Sequence, residues 1–175
     1  MPEIEVFSSV RDFIEAGGDV LLVIAATTLL MWTMILERFW YFRVLHGKEA
    51  ERVLAIWNAR EDRSSWNAHQ IRRLLASQVS QKLRRGLLII KTLVALCPLL
   101  GLLGTVTGMI EVFDVMAIAG SGNARAMAAG VTKATIPTMA GMVAALSGLI
   151  LSVQIERFAN DESQRVADHL ELAAE

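Results

Sequence analysis

Hydrophobic and polar positions divide the chain into two kinds of segment. Residues 20–36, 92–110 and 134–155 contain no charged side chain, in runs of 17, 19 and 22 residues. A bilayer core about 30 Å thick needs roughly 20 helical residues at about 1.5 Å each. A surface helix of a soluble bundle carries polar residues along one face, and these runs carry no charge at all. The pattern predicts three transmembrane helices, near residues 18–38, 88–112 and 132–156. Each can satisfy its own backbone hydrogen bonds in lipid. A soluble bundle of very apolar helices is the competing reading, and the run lengths disfavour it.

The other segments mix apolar and charged positions. Trp40, Phe42, Leu45, Val53, Leu54, Ile56, Trp57 and Trp66 recur among charges, and Leu74, Leu75, Val79 and Leu83 follow at helical spacing. This predicts that the first span continues as a helix to about Arg60. A break is expected near residues 62–67, with a second helix starting near Ser65 and running toward the second span. Residues 39–87 thus form one long helical loop. Phe158, Val166, Leu170 and Leu172 predict a helical extension of the third span over the tail, 157–175. No internal repeat interrupts the pattern, so residues 1–175 read as a single all-α membrane domain.

Charge adds an orientation. The segment before the first span has one basic and five acidic residues, a net of −4. Residues 37–91 have twelve basic and five acidic residues, a net of +7. Basic loops stay in the cytoplasm, which puts the N-terminus outside, residues 111–133 outside and the C-terminus inside. The basic residues are spread among acids and apolar positions. That pattern fits a solvated or lipid-facing surface and gives no reason to expect nucleic-acid binding. The acidic start lacks the basic region of a secretory leader, so the first span is expected to be an uncleaved anchor. Cys97, the single cysteine, sits in an apolar run and reads as a small packing residue.

The second and third spans carry stripes of small residues. Cys97, Gly101, Gly104 and Gly108 recur at spacings of four, three and four. Ala134, Thr138, Gly141, Ala145, Gly148 and Ser152 continue the same rhythm in the third. Small residues let helices approach closely in lipid, where burying large apolar side chains gains little. Three helices in one chain offer more such surface than they need, so the stripes predict contacts between subunits. Thr105 and Thr107 in the second span, with Thr135, Thr138, Ser147 and Ser152 in the third, suggest a polar pathway. The alternative for each is a bond to its own helix backbone. Pro98 and Pro137 each remove a backbone donor inside a span.

No Asp, Glu or His lies in the three uncharged runs. Ionisable groups within a membrane mark ion pathways, so a proton pathway here needs a carboxylate from another chain. No metal-ligand cluster, nucleophile–base pair or phosphate loop is visible. The chain is not expected to be an enzyme or to hold a metal or cofactor. A solute transporter would show inverted repeats and broken helices, and neither is seen.

The string Pro98-Leu-Leu-Gly-Leu-Leu-Gly-Thr-Val-Thr-Gly108 resembles the second-span signature of the MotA/TolQ/ExbB proton-channel family. Residues 130–146, Gly-Val-Thr-Lys-Ala-Thr-Ile-Pro-Thr-Met-Ala-Gly-Met-Val-Ala-Ala-Leu, resemble its third-span signature. Leu36-Glu-Arg38 closes the first span in a similar way. Three spans resemble the ExbB and TolQ branches, and residues 134–148 resemble most closely the short ExbB of the second TonB system of marine bacteria. The resemblance implies an inner-membrane homo-pentamer around the single spans of two ExbD-like partners. The partner's intramembrane Asp would carry the proton, and a TonB-like protein would deliver the work to outer-membrane transporters. Thr105 and Thr138 match the family's lumen threonines by position. Many relatives have Glu where this chain has Lys133. Glu111 and Lys133 lie at the outer ends of their spans and could pair; snorkelling of Lys133 to the interface is the alternative. A TolQ-like envelope motor and a non-conducting scaffold for a partner are the competing functions. Whether H⁺ or Na⁺ flows is not encoded in these residues.

Overall fold

The computed structural model describes residues 2–44, 46–60, 65–119 and 124–170. All its described elements are helices: α1 (Pro2–Val44), α2 (His46–Asn58), α3 (Trp66–Arg84), α4 (Leu87–Ala119) and α5 (Ala124–His169). Three helical stretches, in α1, α4 and α5, are long and apolar enough to cross a membrane. Only 22–33% of each apolar window is buried within the chain. Most of each span therefore stays at least partly exposed and can face lipid or other helices. Of the break expected near residues 62–67, residues 62–64 lie outside the described residues, and Trp66 and Asn67 already belong to α3; the tail beyond Leu170, with Leu172, also lies outside the described residues.

The chain forms two compact units. The first comprises residues 1–32 and 91–149, and the second residues 33–90 and 150–175. In the first unit Leu21, Ile24 and Met31 of α1, Val94 and Cys97 of α4, and Ala134, Ala144 and Ala145 of α5 are buried. In the second, Trp57 of α2 and Ala68, Leu75, Val79 and Leu83 of α3 are buried, with Ala159, Val166 and Leu170. The face of Leu75, Val79 and Leu83 repeats every four residues, which is why those positions share one side of α3.

Two details, at Gly18 and Gly86, add to the sequence reading. The helix of the first span does not begin at the apolar run. It continues N-terminally across a kink at Gly18, whose φ of 67° and ψ of −168° lie in a region open essentially only to glycine. α1 is helical to Val44 and α2 from His46 to Asn58, and Leu45 between them lies outside the described residues. α3, expected to run toward the second span, ends at Arg84. Gly86, at φ 81°, turns the chain before α4. Ser65 caps α3, its Oγ accepting from the Ala68 amide at 3.2 Å.

Capping by arginine holds the second unit's helix ends. Arg72 Nε donates to the Leu170 carbonyl at 2.6 Å, and its Nη2 donates to the Ala167 carbonyl at 3.0 Å. These are C-terminal carbonyls of α5 that no helical amide can reach, and a cation there also suits the helix dipole. Arg38 Nη1 donates to the Lys82 carbonyl at 3.4 Å near the end of α3.

Candidate functional site: the seam between the second and third spans

The two proline-containing helices meet along their small residues. A Cβ on Gly141 would stand 2.5 Å from the Cys97 carbonyl oxygen and 3.2 Å from Gly101 Cα. One on Gly108 would stand 2.5 Å from Ala134 Cα, and one on Gly101 3.0 Å from Thr138 Cα. Backbones this close leave no room for a side chain. Gly104 makes space for the Pro137 ring, and Gly148 for the Met31 sulfur of α1. Ala145 is buried with Cys97 and Ala144. The structure thus places the stripe residues inside the chain, where α4 meets α5 and, at Gly148, α1. Their surface is already consumed by the chain's own helices, because residues without side chains pack best against neighbouring backbone.

The outward faces of the same helices are large and apolar. Leu99, Leu102, Leu103, Val106 and Ile110 of α4 are exposed, as are Met139, Met142, Val143, Leu146 and Leu149 of α5. These faces are open to lipid or to other membrane chains.

The hydroxyls have two kinds of partner. Thr105 Oγ1 donates to the Leu102 carbonyl at 2.6 Å, and Thr107 Oγ1 to Gly104 at 3.1 Å. Thr135 and Ser147 likewise donate to carbonyls three residues back, at 3.1 and 2.8 Å. These are the local bonds that a lone hydroxyl makes in a lipid-embedded helix. Thr138 differs: its Oγ1 donates across the seam to the Gly101 carbonyl of α4 at 2.9 Å. Both Thr105 and Thr138 are half-buried. Each hydroxyl has spent its proton on a carbonyl and retains lone pairs that can accept.

At one end of the seam Lys133 Nζ lies 2.8 Å from Glu111 Oε1. The lysine stem passes the kink in α1: a Cβ on Gly18 would stand 2.8 Å from Lys133 Cε. Sequence reasoning had no signal for Gly18 as the third member of this corner, since Gly17 and Gly18 stand in the sequence only as two glycines just before the first apolar run. The ion pair is 37% and 49% exposed, so it contributes about 0.2–1 kcal/mol.

The family model described as the MotA/TolQ/ExbB proton channel family matches residues 46–168. The chain belongs to this family. Among its relatives, the biopolymer transport protein ExbB-like 1 of Synechocystis sp. is 40% identical over 97 residues, covering 52% of this chain and 38% of that protein. ExbB-like 3 of the same organism is 32% identical over 72 residues, covering 40% and 34%. The matches thus span little more than a third of each relative's length. Within the MotA/TolQ/ExbB family the chain is ExbB-like, and it is a multi-pass membrane protein.

Proposed function

We propose that this chain is the ring-forming subunit of a proton-motive-force-driven motor of the bacterial inner membrane. Five copies enclose the single spans of an ExbD-like partner, whose intramembrane Asp carries the ion. A TonB-like protein passes the work to transporters of the outer membrane. The N-terminus is periplasmic and the C-terminus cytoplasmic, with α2, α3 and the end of α5 as cytoplasmic extensions of one functional domain. The chain performs no covalent chemistry and needs no cofactor.

The observation that carries this reading is the pair of half-buried hydroxyls, Thr105 and Thr138, on helices whose apolar runs contain no ionisable group. A carboxylate brought into so apolar a place would hold its proton tightly. A threonine whose own proton points at a carbonyl presents lone pairs, which suit the protonated acid as a donor. When the acid ionises, the hydroxyl must rotate from its carbonyl toward the carboxylate. Thr105 and Thr138 would then stabilise both states in turn, one pair for each subunit the partner passes.

The test is proton flux in liposomes holding the ring with its single-span partner. Thr105→Val with Thr138→Val keeps shape and removes both hydroxyls, and flux is expected to fall while the complex still purifies. An intramembrane hydrogen bond contributes only about 0.6–2 kcal/mol, so losing the Thr138–Gly101 bond should not dissolve the seam. Undiminished flux in an intact complex would make both threonines packing residues.

A further inference from the structure

We propose that the joint between α3 and α4 binds the headgroup of an anionic phospholipid through Lys82, Arg84 and Arg85. Lys82, Arg84 and Arg85 line one open hollow together with Gln78, Ser80 and Gln81. No carboxylate lies between Asp62 and Glu111 in the sequence, so the stretch that holds the joint is purely basic. Three cations over four residues, with amide and hydroxyl donors beside them, attract a phosphodiester and can donate to its acceptor oxygens.

A fourth cation lies beneath the joint. Arg38 is 6% exposed, and a Cβ on Gly86 would stand 3.3 Å from its Nε and Nη2. Its Nε has no hydrogen-bond partner among the described residues. A buried guanidinium without a carboxylate is costly, and an anion held over the joint lowers that cost. Arg38 acts by its field and is not a contact residue of the headgroup.

The surrounding side chains set the depth. Leu88, directly after the joint, is 77% exposed, and Ile89 beside it is exposed as well. These residues begin the lipid-facing surface of α4. Phe39 and Trp40, the latter 70% exposed, follow Arg38 on α1. Aromatic side chains of this kind collect where hydrocarbon meets headgroup. Apolar exposure on one side of Gly86 and basic exposure on the other put the joint in the headgroup layer.

The inference rests on the chain being a membrane protein and not on its being a motor. Its test needs neither partner nor ion gradient. The purified full chain in neutral detergent is titrated with phosphatidylglycerol or phosphatidylcholine, and bound lipid is counted by native mass spectrometry. Phosphatidylglycerol should bind more tightly. Arg84→Gln with Arg85→Gln should weaken it by about thirty-fold, at roughly five-fold per charge, with phosphatidylcholine unchanged. Arg84→Lys with Arg85→Lys should keep the preference, as should Arg73→Gln further along α3. Equal affinity for the two lipids, or an undiminished preference in the Gln pair, overturns the proposal. So does loss of the preference in the Lys pair or in Arg73→Gln. Displacement of the lipid by millimolar glycerol phosphate would assign the site to a soluble phosphate, and displacement by polyglutamate to an acidic protein segment; either overturns the lipid.

Discussion

Gly18 carries a conformation that side chains rarely adopt, and the Lys133 stem fills the space where its Cβ would be. Gly18→Ala should lower stability by about 1–3 kcal/mol, from backbone strain alone. A lowered melting temperature of the purified chain checks this, and Gly47→Ala is the control, since a Cβ on Gly47 meets nothing within 4 Å. Thr105 and Thr138 look equivalent in the sequence, as two hydroxyls in two apolar runs. Their partners differ because Thr138 faces the Gly101 backbone and Thr105 does not. Whether a threonine bonds within its helix or across to another depends on helix rotation, which spacing alone leaves undetermined.

Two helices with different surfaces on opposite sides follow from the stripes of small residues. The inner side of α4 is glycine and cysteine, and its outer side is leucine, valine and methionine. Both sides are apolar, so hydropathy cannot tell them apart; side-chain size can. Gly141→Leu should therefore damage the chain itself, because the new side chain must displace the Cys97 carbonyl and Gly101. The expected outcome is aggregation or loss of cooperative melting on purification. Leu146→Ala, on the exposed face of α5, should leave the monomer's melting intact and weaken only contacts with neighbouring chains. Circular dichroism melts and oligomer mass, measured on both variants, separate the two effects. Caps of a different kind end the helices of the second unit. Arg72 reaches two carbonyls at the end of α5, a pairing of residues 95 and 98 positions apart.

Orientation belongs to the whole molecule. The net of −4 before the first span against +7 after it predicts an N-terminus on the outside. Single cysteines at Ser9 and at the exposed Ser77, in a Cys97→Ala background, report it when intact spheroplasts meet an impermeant thiol reagent. Only the Ser9→Cys variant should react; labelling confined to Ser77→Cys would invert the topology. Assembly is also decided at this scale. The exposed leucine, valine and methionine side chains of α4 and α5 are the apolar surface left for neighbouring copies, partner helices or lipid in the proposed assembly.

Uncharged runs long enough to cross a bilayer, a basic segment between the first two, and small residues at helical spacing were all present in the sequence. They determined an all-helical chain with three spans, because in lipid a lone helix must satisfy its own backbone. Ser65 as a helix start was legible for the same local reason, a hydroxyl placed to cap the first turn. The tertiary structure decided what depends on distant residues meeting. It turned the glycine stripes inward, gave Thr138 a carbonyl on another helix, and joined Lys133 to Glu111 beside the Gly18 kink. It also laid Arg38 against Gly86. Periodicity reports which residues share a face of one helix. Which face meets which neighbour is settled only when the helices pack, since the best fit depends on the shapes of both surfaces at once.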